Sequence, residues 1–425
     1  MADGGADMLA SAMSEMGRRA RAAARTLGLA TAVQRTEALL AMADALAQAE
    51  AEVLAANAED IAAAQAGGLA PNMVDRLALD TGRLAGVVEA LRTVAAIPDP
   101  VGAEIGHWTR PNGLDFSRVR TPIGVVAVIY EARPNVTADA AALCLRAGNA
   151  TILRGGSESL RSNLAIHAAL VRGLQAAGLP ADCIQITPTA DRAAVGHLLS
   201  GLDGTIDLLI PRGGRSLVER VQKEARVAVL GHLEGLCHTY VHAAADADKA
   251  RAIVVNAKLR RTSVCGSTET LLIDAAAAPR LLADIAADLR AGGCELRGDA
   301  RARSLVPGMA AAEEVDWRTE YLAAILSVRV VDGVDEAAAH IATYGSGHTE
   351  AIITEDAAAA DRFVEVVDSA IVLVNASTQF ADGGEFGFGA EIGISTDRLH
   401  ARGPVGAEQL TTYKYVVRGD GQVRG

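Results

Sequence analysis

Cys265 stands in the run Arg-Thr-Ser-Val-Cys-Gly-Ser-Thr, shortly after Lys258, Arg260 and Arg261. Positive charge, hydroxyls and backbone donors favour the thiolate, the nucleophilic form of cysteine. Gly266 lets another backbone come close. A buried structural thiol is the usual alternative for any cysteine. The other four read differently. Cys144 lies in Ala-Ala-Leu-Cys-Leu on a helix and Cys183 starts a strand, so both are expected to pack. Cys294, in Gly-Gly-Cys-Glu, reads as a loop thiol whose acidic neighbour raises its pKa. Cys237 precedes His238, but neighbours in a strand point to opposite faces, a poor geometry for a nucleophile and its base.

Two glycine pairs suit an anion. Arg154-Gly155-Gly156-Ser157 ends one strand and opens a helix; Arg212-Gly213-Gly214-Arg215-Ser216 follows the strand 206–210. Glycines at such a turn let backbone N–H groups and a helix N-terminus meet a phosphate. Neither is a GxGxxG fingerprint or a P-loop, and an ordinary tight turn is the alternative. The segment Asp382–Gly389 reads as a loop over a ligand or as irregular packing. Nine histidines show no metal-binding spacing, so no metal is expected.

These residues need a scaffold. The chain has 425 residues and a formal charge of −12, which argues against a nucleic-acid or anionic-membrane partner. Half the residues are apolar, too many for a disordered chain, yet aromatics are only 3%. Alanine-rich helices over a Val/Ile-rich sheet fit that balance. Apolar runs such as 123–130 are too short to span a bilayer. Asp3, Asp7 and Glu15 interrupt any secretory leader, and five cysteines without regular spacing give no disulfide framework. A cytoplasmic location is expected.

Residues from about 10 to 66 read as helices, as does the stretch from Gly67–Gly68 to Pro98–Pro100. Trp108–Arg120 around Pro111-Asn112-Gly113 reads as a β-hairpin. From Pro122 strands and helices alternate, which implies a parallel sheet with helices on both faces. Tyr240–Val241 is expected to continue that sheet. A second α/β segment runs from about Ala250 to Thr396. The terminal strand Leu410–Arg418 needs a pairing partner, for which a neighbouring subunit is the expectation.

Several motifs together resemble the γ-glutamyl phosphate reductases, also called glutamate-5-semialdehyde dehydrogenases, of the aldehyde dehydrogenase superfamily. They are Ile-Tyr-Glu-Ala-Arg-Pro-Asn-Val-Thr (129–137), Gly-Asn-Ala-Thr-Ile-Leu-Arg-Gly-Gly-Ser-Glu (148–158) and Leu-Ile-Pro-Arg-Gly-Gly (209–214). Asn256-Ala-Lys, Ser263-Val-Cys265, Thr319-Glu-Tyr, Gly-His-Thr-Glu (347–350) and Val374-Asn-Ala-Ser-Thr-Gln-Phe agree. The resemblance implies an α/β, aldehyde dehydrogenase-like fold of two Rossmann-like domains plus a small β oligomerisation arm. Residues 1–106 and 123–255 would form the dinucleotide-binding domain and 256–395 the catalytic domain. The oligomerisation hairpin and strand would be 107–122 and 396–425.

It also implies a reaction: NADPH-dependent reduction of L-glutamyl 5-phosphate to L-glutamate 5-semialdehyde and phosphate, in proline biosynthesis. Cys265 would attack the acyl phosphate and form a thioester. Asn135, with the Cys265 N–H, would stabilise the oxyanion, although counting from Gly148-Asn149 falls nearer Glu131. Glu131, Arg133 and Ser263 would hold substrate. Arg154, Gly155, Ser157, Arg212, Gly213, Gly214, Ser216 and Glu320 would hold NADPH, with Glu320 at the nicotinamide ribose. Oxidising relatives carry Glu-Leu-Gly-Gly, whose Glu activates a water; here His232-Leu233-Glu234-Gly235 stands instead, with Glu234 as the alternative base. Arg154 with Ser157, lacking the carboxylate of NAD-preferring relatives, suits a 2′-phosphate. A homo-oligomer is expected, as is contact with glutamate 5-kinase, because acyl phosphates are labile. The alternatives are another thiol-dependent aldehyde dehydrogenase, oxidising or CoA-acylating, and an inactive structural relative.

Overall fold

Val125–Tyr130 reads VVAVIY, and all six residues are buried. β-branched side chains on both faces suit a strand covered from both sides. It lies at the centre of a five-stranded parallel sheet whose order is Ile184–Ile186, Ala150–Arg154, Val125–Tyr130, Leu208–Arg212, Ala228–Val229. The structure, a computed structural model, describes residues 3–424, so the outermost residues of the expected domain ranges, 1–2 and 425, lie outside it. Helices Asp3–Leu29, Ala32–Gln48, Glu50–Ala66 and Thr81–Ala96 come first in the chain. Thr31 and Asp80 cap two of them by accepting from Gln34 N–H and Arg83 N–H. Gly173 lets helix Leu160–Ala176 cross Ala32–Gln48 closely, since an added Cβ would fall 2.4 Å from the Met42 nitrogen.

A second sheet has seven parallel strands. Their order is Ala310–Ala311, Glu295–Gly298, Ile325–Val331, Thr268–Asp274, Cys237–Val241, Thr349–Ile353, Ile371–Val374. Leu271, Ile273, Leu281, Ile285 and Val328 centre a core on this sheet. Cys294 does sit in the turn between helix Ala278–Ala291 and strand Glu295–Gly298, as expected, but at 4% exposure it is packed into that core. Burial, more than its acidic neighbour, pushes its thiol up to about 11.

The chain divides into two units. One holds residues up to Gly231, Gly387–Gly393 and the chain from Val405 onward; the other holds His232–Phe386 and Ile394–Pro404. Two expectations change. Strand Cys237–Val241 belongs to the second sheet, so the division falls well before residue 255. The range 396–425 splits between the units. Both differences have one reason: alternating pattern identifies a strand without saying which sheet it joins.

The hairpin is present. Glu104–Thr109 and Asp115–Pro122 pair antiparallel, and Gly113 takes the left-handed conformation (φ 82°) that the turn needs. Thr411–Arg418 pairs with the inner strand of the same chain, from Thr411 opposite Pro122 to Arg418 opposite Asp115. No neighbouring subunit is required for that pairing, which corrects the expectation. No helix among the described residues is long and apolar enough to cross a membrane.

Candidate active site

Strands Thr268–Asp274, Cys237–Val241 and Thr349–Ile353 are neighbours and run parallel, so the turns entering them lie side by side. Cys265 is three residues before the first of these strands, Gly235 two before the second and His348 one before the third. Sequence-distant residues thus converge because parallel strands align their amino ends. The ligand atoms of His232, Cys265 and His348 lie within 4.8 Å of one another.

Gly235 admits the backbone of Cys265: an added Cβ would sit 2.1 Å from the Cys265 carbonyl oxygen and 2.6 Å from its Cα. The Gly235 N–H donates to Glu320 Oε1 at 3.0 Å. Burial raises the Glu320 pKa; the Gly235 N–H opposes that and the Cys265 charge adds to it. The buried Cys237 thiol donates to the Cys265 carbonyl at 3.0 Å. Burial, aided by Glu350, pushes the Cys237 pKa well up, so this thiol stays protonated and inert.

Burial alone would raise the Cys265 pKa as well. The electrostatic influence of His348, followed by hydrogen bonding of the His232 and His348 imidazoles to the sulfur, outweighs burial and holds the thiol well below its ordinary range. His232 Nδ1 lies 2.7 Å from the Ile394 carbonyl, which only accepts, so Nδ1 carries a proton. His348 is fully buried, with Nδ1 2.8 Å from Thr349 Oγ1. Both histidines were missed as thiol partners by a search for metal spacing. Their signal was positional, since each precedes a strand of the sheet that carries Cys265. The expected charge from Lys258, Arg260 and Arg261 is corrected. Lys258 is buried against Glu269 at 2.5 Å, and both arginines are exposed. Ser263 is exposed in the Cys265 turn.

The remaining candidates lie in the first unit. The chain's strand order reverses on either side of Val125–Tyr130, and ligands of open α/β sheets bind outside the carboxyl ends at such a switch point. Glu131, Arg133, Arg212, Gly213 and Gly214 are at those ends. Gly214 N–H, at the N-terminus of helix Arg215–Glu224, donates to Glu131 Oε2 at 2.8 Å. At Gly213 an added Cβ would lie 2.6 Å from that oxygen, so the Glu131 side chain would have to move to admit one. A carboxylate therefore occupies a position suited to a phosphate oxygen. Ser216 is exposed in the same helix's first turn. Asn135 opens helix Asn135–Arg146 and donates from Nδ2 to Asp139 Oδ2 at 2.8 Å.

Arg154 is mostly buried; Nη1 donates to the Gly155 carbonyl at 2.7 Å and Nη2 to that of Ala190 at 3.2 Å. An added Cβ at Gly155 would fall 2.0 Å from Asn163 Nδ2, and one at Gly156 would fall 2.1 Å from Glu158 Oε1. That glycine pair admits side chains of this chain, as a tight turn does. Ser157 is exposed beside it.

Residues 6–302 match the aldehyde dehydrogenase family. The γ-glutamyl phosphate reductase of Caulobacter vibrioides is 69% identical over 97% of this chain and all of that one. A crystal structure of γ-glutamyl phosphate reductase from Thermotoga maritima superposes with a TM-score of 0.95 at 43% identity, covering 97% of this chain and all of that one. An acetylating aldehyde dehydrogenase from Geobacillus thermoglucosidasius shares the fold at 17% identity, with a TM-score of 0.70 over 99% of each chain.

Proposed function

Because the chain belongs to the γ-glutamyl phosphate reductases of the aldehyde dehydrogenase family, we propose that it reduces L-glutamyl 5-phosphate to L-glutamate 5-semialdehyde and phosphate with NADPH, through a Cys265 thioester, as a step of proline biosynthesis. The observation that carries the reading is the Cys265 sulfur set between two imidazoles that favour its thiolate.

The thiolate adds to the acyl-phosphate carbonyl, and the oxyanion that forms is assigned the Cys265 N–H and, by the family resemblance, the Asn135 amide as its donors. Phosphate leaves and Cys265 holds the acyl group as a thioester. NADPH, when bound, supplies the hydride. The resulting thiohemiacetal expels the Cys265 thiolate and frees the aldehyde. His232 stands where oxidising relatives hold a water-activating glutamate. Its Nδ1 proton, held on the Ile394 carbonyl, fixes the ring and leaves no carboxylate at that position to hydrolyse the thioester.

Arg133, Glu131 and Ser263 are assigned to substrate. The switch point and the Gly213–Gly214 turn fit a dinucleotide's phosphates, with Arg212 and Ser216 beside them. Glu131 must leave the Gly214 N–H for a phosphate to take it. Arg154, Gly155 and Ser157 are assigned to the adenosine end, and Glu320 to the nicotinamide ribose. A cytoplasmic homo-oligomer receiving its acyl phosphate from glutamate 5-kinase completes the reading. Exposed Trp108, Tyr413 and Tyr415 on the three-stranded sheet support a subunit contact there.

The test is the reverse reaction followed by absorbance. Glutamate semialdehyde should reduce NADP only when phosphate is present, and NAD poorly. Reduction without phosphate would mean an oxidising dehydrogenase, and dependence on CoA an acylating one.

A further inference from the structure

We propose that His232, Cys265 and His348 also bind a zinc-type divalent cation, which shuts the enzyme off reversibly. Their ligand atoms lie within 4.8 Å of one another. A tetrahedral ion about 2.0–2.3 Å from its ligands holds them roughly 3.4–3.8 Å apart, so small side-chain rotations close the site. Two imidazoles and a thiolate select a borderline-soft cation over magnesium or calcium, which take oxygen ligands.

The outer contacts fit as well. The Ile394 carbonyl holds His232 Nδ1–H, an arrangement that turns Nε2 into a lone-pair donor and orients the ring. His348 Nδ1 faces Thr349 Oγ1, while its buried Nε2 makes no hydrogen bond of ordinary geometry. An orphaned ring nitrogen beside a thiolate is a group that a cation satisfies. The Cys237 sulfur lies 3.5 Å from His348 Nδ1, on the other edge of that ring, and is not a ligand. A fourth corner remains for water. Binding forms three dative bonds without redox change and releases displaced protons to solvent. The sulfur lone pair is then unavailable to a carbonyl. Inhibition rests on the proposed role of Cys265, whereas cation binding stands apart from it.

The test titrates the full-length reduced enzyme with Co²⁺ as an optical probe and Zn²⁺ as competitor. One Co²⁺ per chain should give a thiolate-to-cobalt charge-transfer band that Zn²⁺ removes. Cys265→Ser should lose the band, and His232→Gln and His348→Gln should each weaken binding by at least about tenfold. Cys237→Ser should keep it. Thermal melts establish that each variant is folded, and if one histidine variant fails to fold the other carries the comparison. No band in the unaltered enzyme, a band surviving Cys265→Ser, or its loss in Cys237→Ser overturns the site. Zn²⁺ should inhibit NADP reduction over the range that displaces cobalt, and a chelator should restore it. Cation bound at Cys265 without inhibition would overturn the shut-off and remove Cys265 from the reaction, leaving the binding site intact.

Discussion

Gly235 packs its α-carbon against the backbone of Cys265, leaving no room for a methyl group: the added Cβ would meet both the carbonyl oxygen and the Cα. Backbone on both sides cannot yield as a flexible side chain does. Gly235→Ala should therefore shift the thiol by some tenths of an ångström or more and lower kcat on the order of 100-fold. Cofactor binding, measured by fluorescence of bound NADPH, should persist.

His348→Ala and His232→Ala should each raise the Cys265 pKa, because each removes an imidazole that favours the thiolate. Alkylation by iodoacetamide at pH 7 should slow in both variants. Its pH profile should move upward toward that of an ordinary cysteine, about 8.5. An unchanged profile would show that the histidines do not set the thiol's ionisation.

Lys258 and Glu269 form a buried pair. Lys258→Met leaves the carboxylate without its cation, which costs about 3–5 kcal/mol of stability. Urea unfolding should show that loss, while Cys265 alkylation in the folded protein keeps its rate. The two readouts separate this ion pair from the thiol's environment.

Asp139 should make stability pH-dependent. Burial pushes its carboxyl up to about 6, with the Asn135 amide and Arg212 opposing. An unfolded aspartate titrates near 4, so the folded protein retains this proton to higher pH. The contribution is fully present below about pH 4 and is lost as pH rises through 6, on the order of 2–3 kcal/mol. Asp139→Asn should flatten that fall in urea melts between pH 4.5 and 7.

Local chemistry was legible in the sequence wherever it depends on neighbours along the chain. Pro111-Asn112-Gly113 announces its turn, VVAVIY its buried strand, and Cys265 stands out by its hydroxyl-rich run. What sets the thiol was not legible. His232 and His348 flank Cys265 only through the alignment of three parallel strands, a long-range property that no local window contains. The nearby cations Lys258, Arg260 and Arg261 looked better placed, yet one is spent on Glu269 and two face solvent. The same cause underlies the misplaced strand Cys237–Val241 and the pairing of Thr411–Arg418 within its own chain.

That last pairing has a consequence during translation. The strand Asp115–Pro122 leaves the ribosome long before Thr411–Arg418 exists, so its open edge waits roughly 15–60 s at 5–20 residues per second. An uncovered edge invites pairing with another nascent chain on the same message. Slowing or stalling synthesis between the two strands should therefore favour aggregates seeded at the hairpin, and chaperone demand should peak before the final strand is made.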